Sequence, residues 1–312
     1  MRAPARRLLI DTDTAADDAV AILLALTAPD IDVLALTIVA GNVAVEQGTR
    51  NALATLNAAG RLDVPVHPGA AAPLLRPLVL STEVFGADGL GDVNLPSVGT
   101  PAAEKAVDAT LRLIRAHGPD LTWVALGPLT NIASAILADP HACRTVRELV
   151  IMGGIGDGVG NVTPVAEYNV WVDPEAARIV LHAGIPIRLV GWDVARRPEA
   201  LIDSETRASL AQAGPLGAFA HRITTKLWDF STTKHHRGGM DFADPVAMAG
   251  AVARELLTFA PRYVDVETAG ELTRGASVVD HLASTGNPPN VHLAKGIDGL
   301  AFKRLLLRCL GA

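Results

Sequence analysis

The 312-residue chain is poor in cysteine, in aromatic residues and in charged residues. Its two cysteines, Cys143 and Cys309, lie far apart and form no CxxC or histidine-paired motif, so the sequence supports neither a zinc site nor a disulfide framework. We expect both to be reduced thiols. Aromatic residues make up 4% and charged residues 19% of the chain, whereas hydrophobic residues reach 49%. This balance requires either a membrane or a large buried core.

The chain also lacks a long hydrophobic run and a basic tract. Its longest apolar stretch, AVAILLALTA at residues 19–28, is too short to span a bilayer, so we expect no membrane partner. The net charge of −6 and the absence of a Lys/Arg-rich tract beyond Arg6-Arg7 argue against nucleic acid. Arg6 and Arg7 run directly into LLIDTD without a signal-like apolar region, which predicts a short tail before a strand and a cytoplasmic protein.

What the chain does contain is a repeated alternation of apolar strand-like runs with Ala-rich helical runs. RLLID is followed by DAVAILLAL, and DVLALTIVA is followed by VEQGTRNALATLNAAG. The alternation predicts an α/β fold: an open, mostly parallel, Rossmann-like sheet with helices on both faces. Near the end, RYVDVETAGELTRGASVVDHL indicates a strand hairpin. No linker interrupts the pattern, so we expect a single domain spanning residues 1–312.

Two segments are long enough to be functional loops, residues 68–101 and 153–164. The second contains GGIGDGVG, which mimics a dinucleotide-binding loop. Pro164 follows it and no helix start is evident, so the dinucleotide interpretation fails its structural requirement. A helical stretch from Ser204 to Phe230 should break at Gly214-Pro215.

Acidic residues cluster near the N-terminus, where LLIDTDTAADDAVAILLAL places Asp11 and Asp13 at the end of the first strand and Asp17 and Asp18 at the start of the next helix. A single Asp there would merely oppose the helix macrodipole. Four carboxylates in eight residues repel one another unless a cation compensates. Since no Cys or His lies nearby, the pattern indicates a hard cation, Ca²⁺ or Mg²⁺.

One enzyme class with a similar start is the haloacid-dehalogenase-like phosphatases, in which Asp11 would be phosphorylated and Asp13 would act as acid and base. That class needs a separate acidic pair on a later loop and a suitably placed Lys. Here the additional carboxylates, Asp17 and Asp18, come only four and five residues after Asp13. The phosphatase interpretation is therefore the weaker alternative.

The spacing D-x-D-x-x-x-D-D-A resembles the N-terminal motif of the inosine-uridine preferring nucleoside hydrolase family. Further segments that are similar to this family follow in order: Gly41-Asn42, LTNIA at 129–133, MGG at 152–154, EYN at 167–169 with DPEAA after it, and Asp244-Pro245. The resemblance implies the nucleoside hydrolase fold and Ca²⁺-dependent hydrolysis of the N-glycosidic bond of ribonucleosides to ribose and free base. It also implies a homodimer or homotetramer. A non-catalytic relative that only binds nucleoside or ribose is the second hypothesis.

The resemblance also assigns roles to individual residues. It implies that Asp13, Asp18, Asp244 and the backbone carbonyl of Leu126 ligate one Ca²⁺, and that Asp13 takes a proton from the attacking water. The remaining positions implied for the ribose and water are Asp17 at the 2′-hydroxyl, Asn42 at the water and sugar, Met152 beside the ribose, and Asn161, Glu167 and Asn169 at the 5′- and 3′-hydroxyls.

The base side is where the sequence departs from the family pattern. The motif commonly reads D-P-G-x-D-D, whereas residues 13–18 read DTAADD. The His or aromatic residues that many relatives place at the leaving base have counterparts at Phe85 and Ala243, and neither can donate a proton. The candidates for the base side are Phe85, Trp228, His235 and His236, with a merely solvated histidine pair as the alternative for the last two. Base preference is left open.

Overall fold

In the computed structural model, which describes residues 6–311, nine strands form one sheet in the order β3-β2-β1-β4-β5-β6-β9-β7-β8. All neighbouring pairs from β3 to β9 are parallel, and β7 runs antiparallel to both β9 and β8. The predicted open, mostly parallel sheet is confirmed. The strands are β1 (Arg6–Thr12), β2 (Ile31–Ile38), β3 (Val66–Pro68), β4 (Leu121–Ala125), β5 (Glu148–Met152), β6 (Ile187–Val190), β7 (Leu257–Val266), β8 (Ser277–Asp280) and β9 (Val291–Ile297).

Helices cover both faces of the sheet, and alternate residues of the buried strands enter different cores. The helices are α1 (Ala16–Thr27), α2 (Val45–Ala58), α3 (Thr82–Phe85), α4 (Ala106–His117), α5 (Thr130–Ala138), α6 (Pro140–Cys143), α7 (Tyr168–Val172), α8 (Pro174–Leu181), α9 (Trp192–Ala195), α10 (Ser204–Gln212), α11 (Pro215–Ile223), α12 (Thr225–Asp229), α13 (Ala243–Val252) and α14 (Gly299–Leu310). Leu8 and Ile10 pack with α1, α13 and α14, whereas Leu9 packs on the other face with α4, α5 and α8.

The sequence predicted most of these elements, with one error at the start. Arg6 and Arg7 are not a tail but the first residues of β1, because the Arg6 N–H donates to Asp30 O and its guanidinium donates to the carbonyls of Ala251 and Val252. Residues 1–5 and 312 lie outside the described range. The helix break at Gly214-Pro215 and the β7–β8 hairpin are confirmed.

The carboxyl ends of the parallel strands lie at one edge of the sheet, which is where open α/β sheets bind ligands. The two long loops reach this edge, since residues of both line the same cavity there. The first loop contains α3, and residues 153–164 contain neither helix nor strand. Within residues 6–311, no helix has the length and apolarity needed to cross a bilayer.

Candidate active site

Four buried carboxylates meet at the carboxyl edge of the sheet. Asp13 follows β1, Asp17 and Asp18 lie in the first turn of α1, and Asp244 lies in the first turn of α13. Asp17, Asp18 and Asp244 each offer an oxygen atom within 4.8 Å of the others. The sequence therefore located these residues. The group of three oxygens includes Asp17, whereas the resemblance implies Asp13 together with Asp18 and Asp244 as the metal ligands.

Local hydrogen bonds fix the directions of Asp18 and Asp13. The Thr12 hydroxyl donates to Asp18 Oδ1 at 2.6 Å, and the Ala15 N–H donates to Asp18 Oδ2 at 3.0 Å. Asp18 thus satisfies a free N–H at the start of α1 while it faces the cluster. The Asn42 N–H donates to Asp13 Oδ2, and a Cβ at Gly41 would overlap that oxygen. The loop after β2 can therefore approach Asp13 only with glycine at this position.

The electrostatics of the cluster favour a bound cation. Burial raises the pKa of Asp13 to about 7. Burial first, and then the neighbouring carboxylates, raise the pKa values of Asp17, Asp18 and Asp244 well above the ordinary range. Asp13 Oδ1 and Asp17 Oδ1 are buried without a hydrogen-bond partner. Because every available ligand is an oxygen atom, the residues fit a hard divalent cation.

A cavity of about 330 Å³ opens above this cluster, and polar side chains form one of its walls. The Asn169 amide nitrogen donates to Leu126 O at 2.8 Å and contacts Met152 Sδ at 3.2 Å, which leaves the amide oxygen for a ligand. Asn161 Oδ1 accepts the Tyr168 N–H at 2.9 Å, which leaves its NH₂ group. One amide is thus available as an acceptor and the other as a donor.

Glu167 connects this polar wall to the backbone. Its Oε1 accepts the Asn169 N–H at 2.9 Å, and its Oε2 accepts the Gly154 N–H at 2.8 Å. Burial raises the pKa of Glu167 to about 7. Asn42, Leu126 and Met152 line the same cavity. The structure therefore brings together all the residues that the sequence analysis placed around the metal and the ribose.

Aromatic side chains also line the cavity, and only some of the predicted base-side residues are among its lining. Phe85 and His235 line the cavity together with Phe230. Trp228 and His236 do not belong to the cavity lining. Trp228 packs instead under the Arg207 guanidinium, 5.0 Å from the ring centroid. Partial burial, and then the nearby Arg237, lower the pKa of His235.

Sequence analysis missed several residues that line the cavity. Tyr168 donates its hydroxyl to Val79 O at 2.6 Å and so ties the first loop to α7. Trp192, Ser231 and Asp241 line the wall near His235. Tyr168 lies within the EYN motif and Asp241 lies three residues before Asp244, so the sequence did contain a signal for these two.

Fold and site together define an α/β enzyme whose acidic cluster faces a cavity lined with amides. The family model described as inosine-uridine preferring nucleoside hydrolase matches residues 8–304, and the chain belongs to this family. The family membership favours the nucleoside hydrolase interpretation over the phosphatase alternative.

Relatives match the chain over nearly its full length. The pyrimidine-specific ribonucleoside hydrolase RihA of Citrobacter koseri is 38% identical, and the match covers 96% of each chain. A solved plant nucleoside hydrolase, PpNRh1, superposes with a TM-score of 0.94 at 32% identity over 99% of this chain and 100% of the other. A purine-preferring ribonucleoside hydrolase from Gardnerella vaginalis superposes with a TM-score of 0.90 at 31% identity over 98% of both chains.

Proposed function

We propose that this protein hydrolyses the N-glycosidic bond of ribonucleosides to give ribose and the free base. The observation that carries the proposal is the buried cluster of carboxylates facing the donor and acceptor amides of Asn161 and Asn169 across one cavity. Such a cavity suits a ligand that is rich in hydroxyl groups at one end. Relatives named as a pyrimidine-specific and a purine-preferring ribonucleoside hydrolase support the same reaction.

We propose that the cation is Ca²⁺ and that Asp13, Asp18, Asp244 and the carbonyl of Leu126 hold it. The all-oxygen donor set and the unpartnered Asp13 Oδ1 support this choice. When bound, Ca²⁺ would lower the pKa of water and orient the ribose diol. Asp17, whose Oδ1 is also unpartnered, lies next to this set and would hold the 2′-hydroxyl.

In the proposed reaction, Asp13 accepts a proton from the water that attacks the anomeric carbon. Asn42, whose N–H holds Asp13 Oδ2, orients the water and the sugar. The 5′- and 3′-hydroxyls are bound by Asn161, Glu167 and Asn169. Positive charge develops on the ribose ring as the C–N bond breaks, and the surrounding carboxylates stabilise it.

On the base side, we propose that Phe85 packs against the nucleobase and that His235 supplies the proton that the departing base needs. Phe85 is buried in the cavity wall, and His235 is an exposed residue of the cavity lining, 4.6 Å from Phe230 between ring centroids. Histidine is the side chain best suited to proton transfer near neutral pH. Trp228 and His236 lie outside the cavity lining, and the proposal gives them no role.

A reducing-sugar assay tests the proposal. Purine and pyrimidine ribonucleosides are each incubated with the protein, with Ca²⁺ or with chelator, and free ribose is measured. We expect ribose release that chelation abolishes and Ca²⁺ restores. Binding of ribose without any release would favour the non-catalytic hypothesis, and release of phosphate from phosphate esters would favour the phosphatase.

We also propose that the chain forms one nucleoside hydrolase domain over residues 1–312 and assembles as a homodimer or homotetramer in the cytoplasm. Leu272 and Leu282, which flank β8, are 83% and 89% exposed, and burial of these apolar side chains between subunits would favour such an assembly. Sedimentation analysis tests the assembly, and a monomer at every concentration would contradict it. Cell fractionation tests the location.

A further inference from the structure

The segment that carries His235 has an unusual backbone. Residues Phe230–Lys234 form a π-helical turn, which often marks a functional position. After this turn, His236 has a φ of 49°, and Gly238 and Gly239 follow Arg237. The His235 N–H donates to Phe230 O at 3.2 Å and the Arg237 N–H donates to Ser231 O at 3.2 Å. These bonds fix the backbone of the turn but do not by themselves fix the direction of the His235 side chain.

Asp241, which follows this segment in the chain, contacts residues on both sides of His235. The Ser231 hydroxyl donates to Asp241 Oδ1 at 3.3 Å, and Arg237 Nη1 lies 3.1 Å from Asp241 Oδ2. Ser231 and Arg237 lie on either side of His235 in the chain. One buried carboxylate, only 8% exposed, therefore ties down both ends of the segment that presents the histidine.

Trp192 attaches this arrangement to the sheet. It begins α9, directly after β6, and its indole Nε1–H donates to Asp241 Oδ2 at 2.5 Å. The guanidinium carbon of Arg237 lies 4.9 Å from the indole centroid, within the range of a cation–π contact. Arg196 makes a second such contact at 4.3 Å. The indole thus links the end of a central strand to the His235 segment through one hydrogen bond and one stacked guanidinium.

We propose that Trp192, Asp241 and Arg237, named here the indole clamp, are positioning residues that set His235 against the departing base. This inference rests on the proposed function. Asp241 Oδ2 is engaged by Trp192 and Arg237 and its Oδ1 by Ser231, so Asp241 acts through His235 and not by direct contact with the base. Hydrolysis moves the electron pair of the C–N bond to the base nitrogen, and the base then needs a proton, which His235 donates. We therefore expect damage to the clamp to slow this proton transfer.

A change of leaving group separates this role from a general structural one. With p-nitrophenyl riboside the C–O bond breaks and the p-nitrophenolate keeps the electron pair as a stable anion, so no proton is required. The ribose half of the reaction is unchanged. Damage to the clamp should therefore slow nucleoside hydrolysis far more than hydrolysis of the p-nitrophenyl riboside.

The experiment compares Trp192→Phe, which keeps a ring but removes the Nε1–H donor, with Trp171→Phe. Trp171 makes a similar contact with Arg274, 4.6 Å from its centroid, and it is not part of the cavity lining. For Trp192→Phe we expect the ratio of nucleoside to p-nitrophenyl riboside kcat to fall about tenfold or more, which is part of the roughly hundredfold to ten-thousandfold that general acid catalysis contributes. Trp171→Phe should leave the ratio unchanged. Asp241→Asn should behave as Trp192→Phe does.

A double-mutant cycle with His235→Gln completes the test. If the clamp acts through His235, the two changes should not be additive, because a histidine that is absent cannot be mispositioned. An equal loss with both substrates, or full additivity with His235→Gln, would overturn the proposal. Circular dichroism of each variant shows whether it is folded, and Arg237→Lys serves as a second variant if Trp192→Phe is not. A wild-type protein that hydrolyses neither substrate would reject the proposed function itself.

Discussion

Asp13 is the residue on which both the metal and the water depend in the proposed reaction. Asp13→Asn keeps an oxygen that can accept the Asn42 N–H but removes the charge and the proton acceptor. We expect ribose release to fall by about a thousandfold, consistent with the loss of a general base. The metal-free variant should be at least as stable as the wild type, because one carboxylate leaves a buried acidic cluster. Thermal unfolding and the reducing-sugar assay measure the two effects.

The control for Asp13→Asn is Asp157→Asn, a matched change in the exposed loop between β5 and α7. It should leave ribose release and unfolding unchanged. If Asp13→Asn retains wild-type activity, the assignment of the base is wrong.

The residues of the site differ in how far the sequence could predict them. Asp11, Asp13, Asp17 and Asp18 lie within eight residues of the chain, and four carboxylates so close together already imply a cation. Trp192 and Asp241 are 49 residues apart, and only the pairing of α9 with the segment before α13 makes them partners. From sequence alone, a tryptophan that follows a strand is interpreted as a residue of the hydrophobic core. The indole clamp could therefore not be inferred before the fold was known.

At the scale of elements, α2 packs against the loop that carries Asp13, and Gly48 is the point of contact. A Cβ at Gly48 would lie 2.7 Å from the Asp13 carbonyl oxygen and 3.1 Å from Ile38 Cγ2. Gly48→Ala should therefore cost about 1–3 kcal/mol of stability through overpacking, and it should reduce activity by moving Asp13. Urea unfolding and ribose release measure both effects.

Gly250 in α13 provides the matched control for that change. The nearest atoms to its added Cβ lie at 3.8 Å, which is ordinary van der Waals contact. Gly250→Ala should stabilise the protein by about 0.5–1 kcal/mol, because alanine is the better helix former. If both variants behave alike, the close approach at Gly48 does not determine the position of Asp13.

The elements themselves were largely predictable because parallel strands buried on both faces leave long apolar runs between helices. The π-helical turn at Phe230–Lys234 was not, since nothing in FSTTK distinguishes it from the end of an ordinary helix. Asp241, which contacts this turn through Ser231, comes later in the chain, and its partner Trp192 lies far earlier. The base side was therefore the part of the site that the sequence described least well.

At the scale of the whole molecule, the buried carboxyls make stability depend on pH when no cation is bound. Burial raises the pKa values of Asp11, Asp13 and Glu167 to about 7. Between about pH 4 and pH 7 the folded protein then holds more protons than the unfolded chain, so the free energy of unfolding decreases as the pH rises through this window. Urea unfolding in chelator at pH 5, 6, 7 and 8 should show this decrease, which continues as the pH rises through the raised pKa values of the folded protein. Stability that rises over the same window would contradict the buried cluster.

A cation should reverse that loss, because it binds the deprotonated carboxylates of the folded state and has no equivalent site in the unfolded chain. Ca²⁺ at about a hundred times its Kd should stabilise the protein by about 2.7 kcal/mol. We expect the rise in Tm to be larger at pH 8 than at pH 5, where protons compete for the same oxygens. Asp244→Asn should remove most of the rise, whereas Asp157→Asn should retain it, and Mg²⁺ in place of Ca²⁺ tests the choice of metal. An equal rise in Asp244→Asn and the wild type would place the cation elsewhere, because Asp244 contributes one of the three grouped carboxylate oxygens.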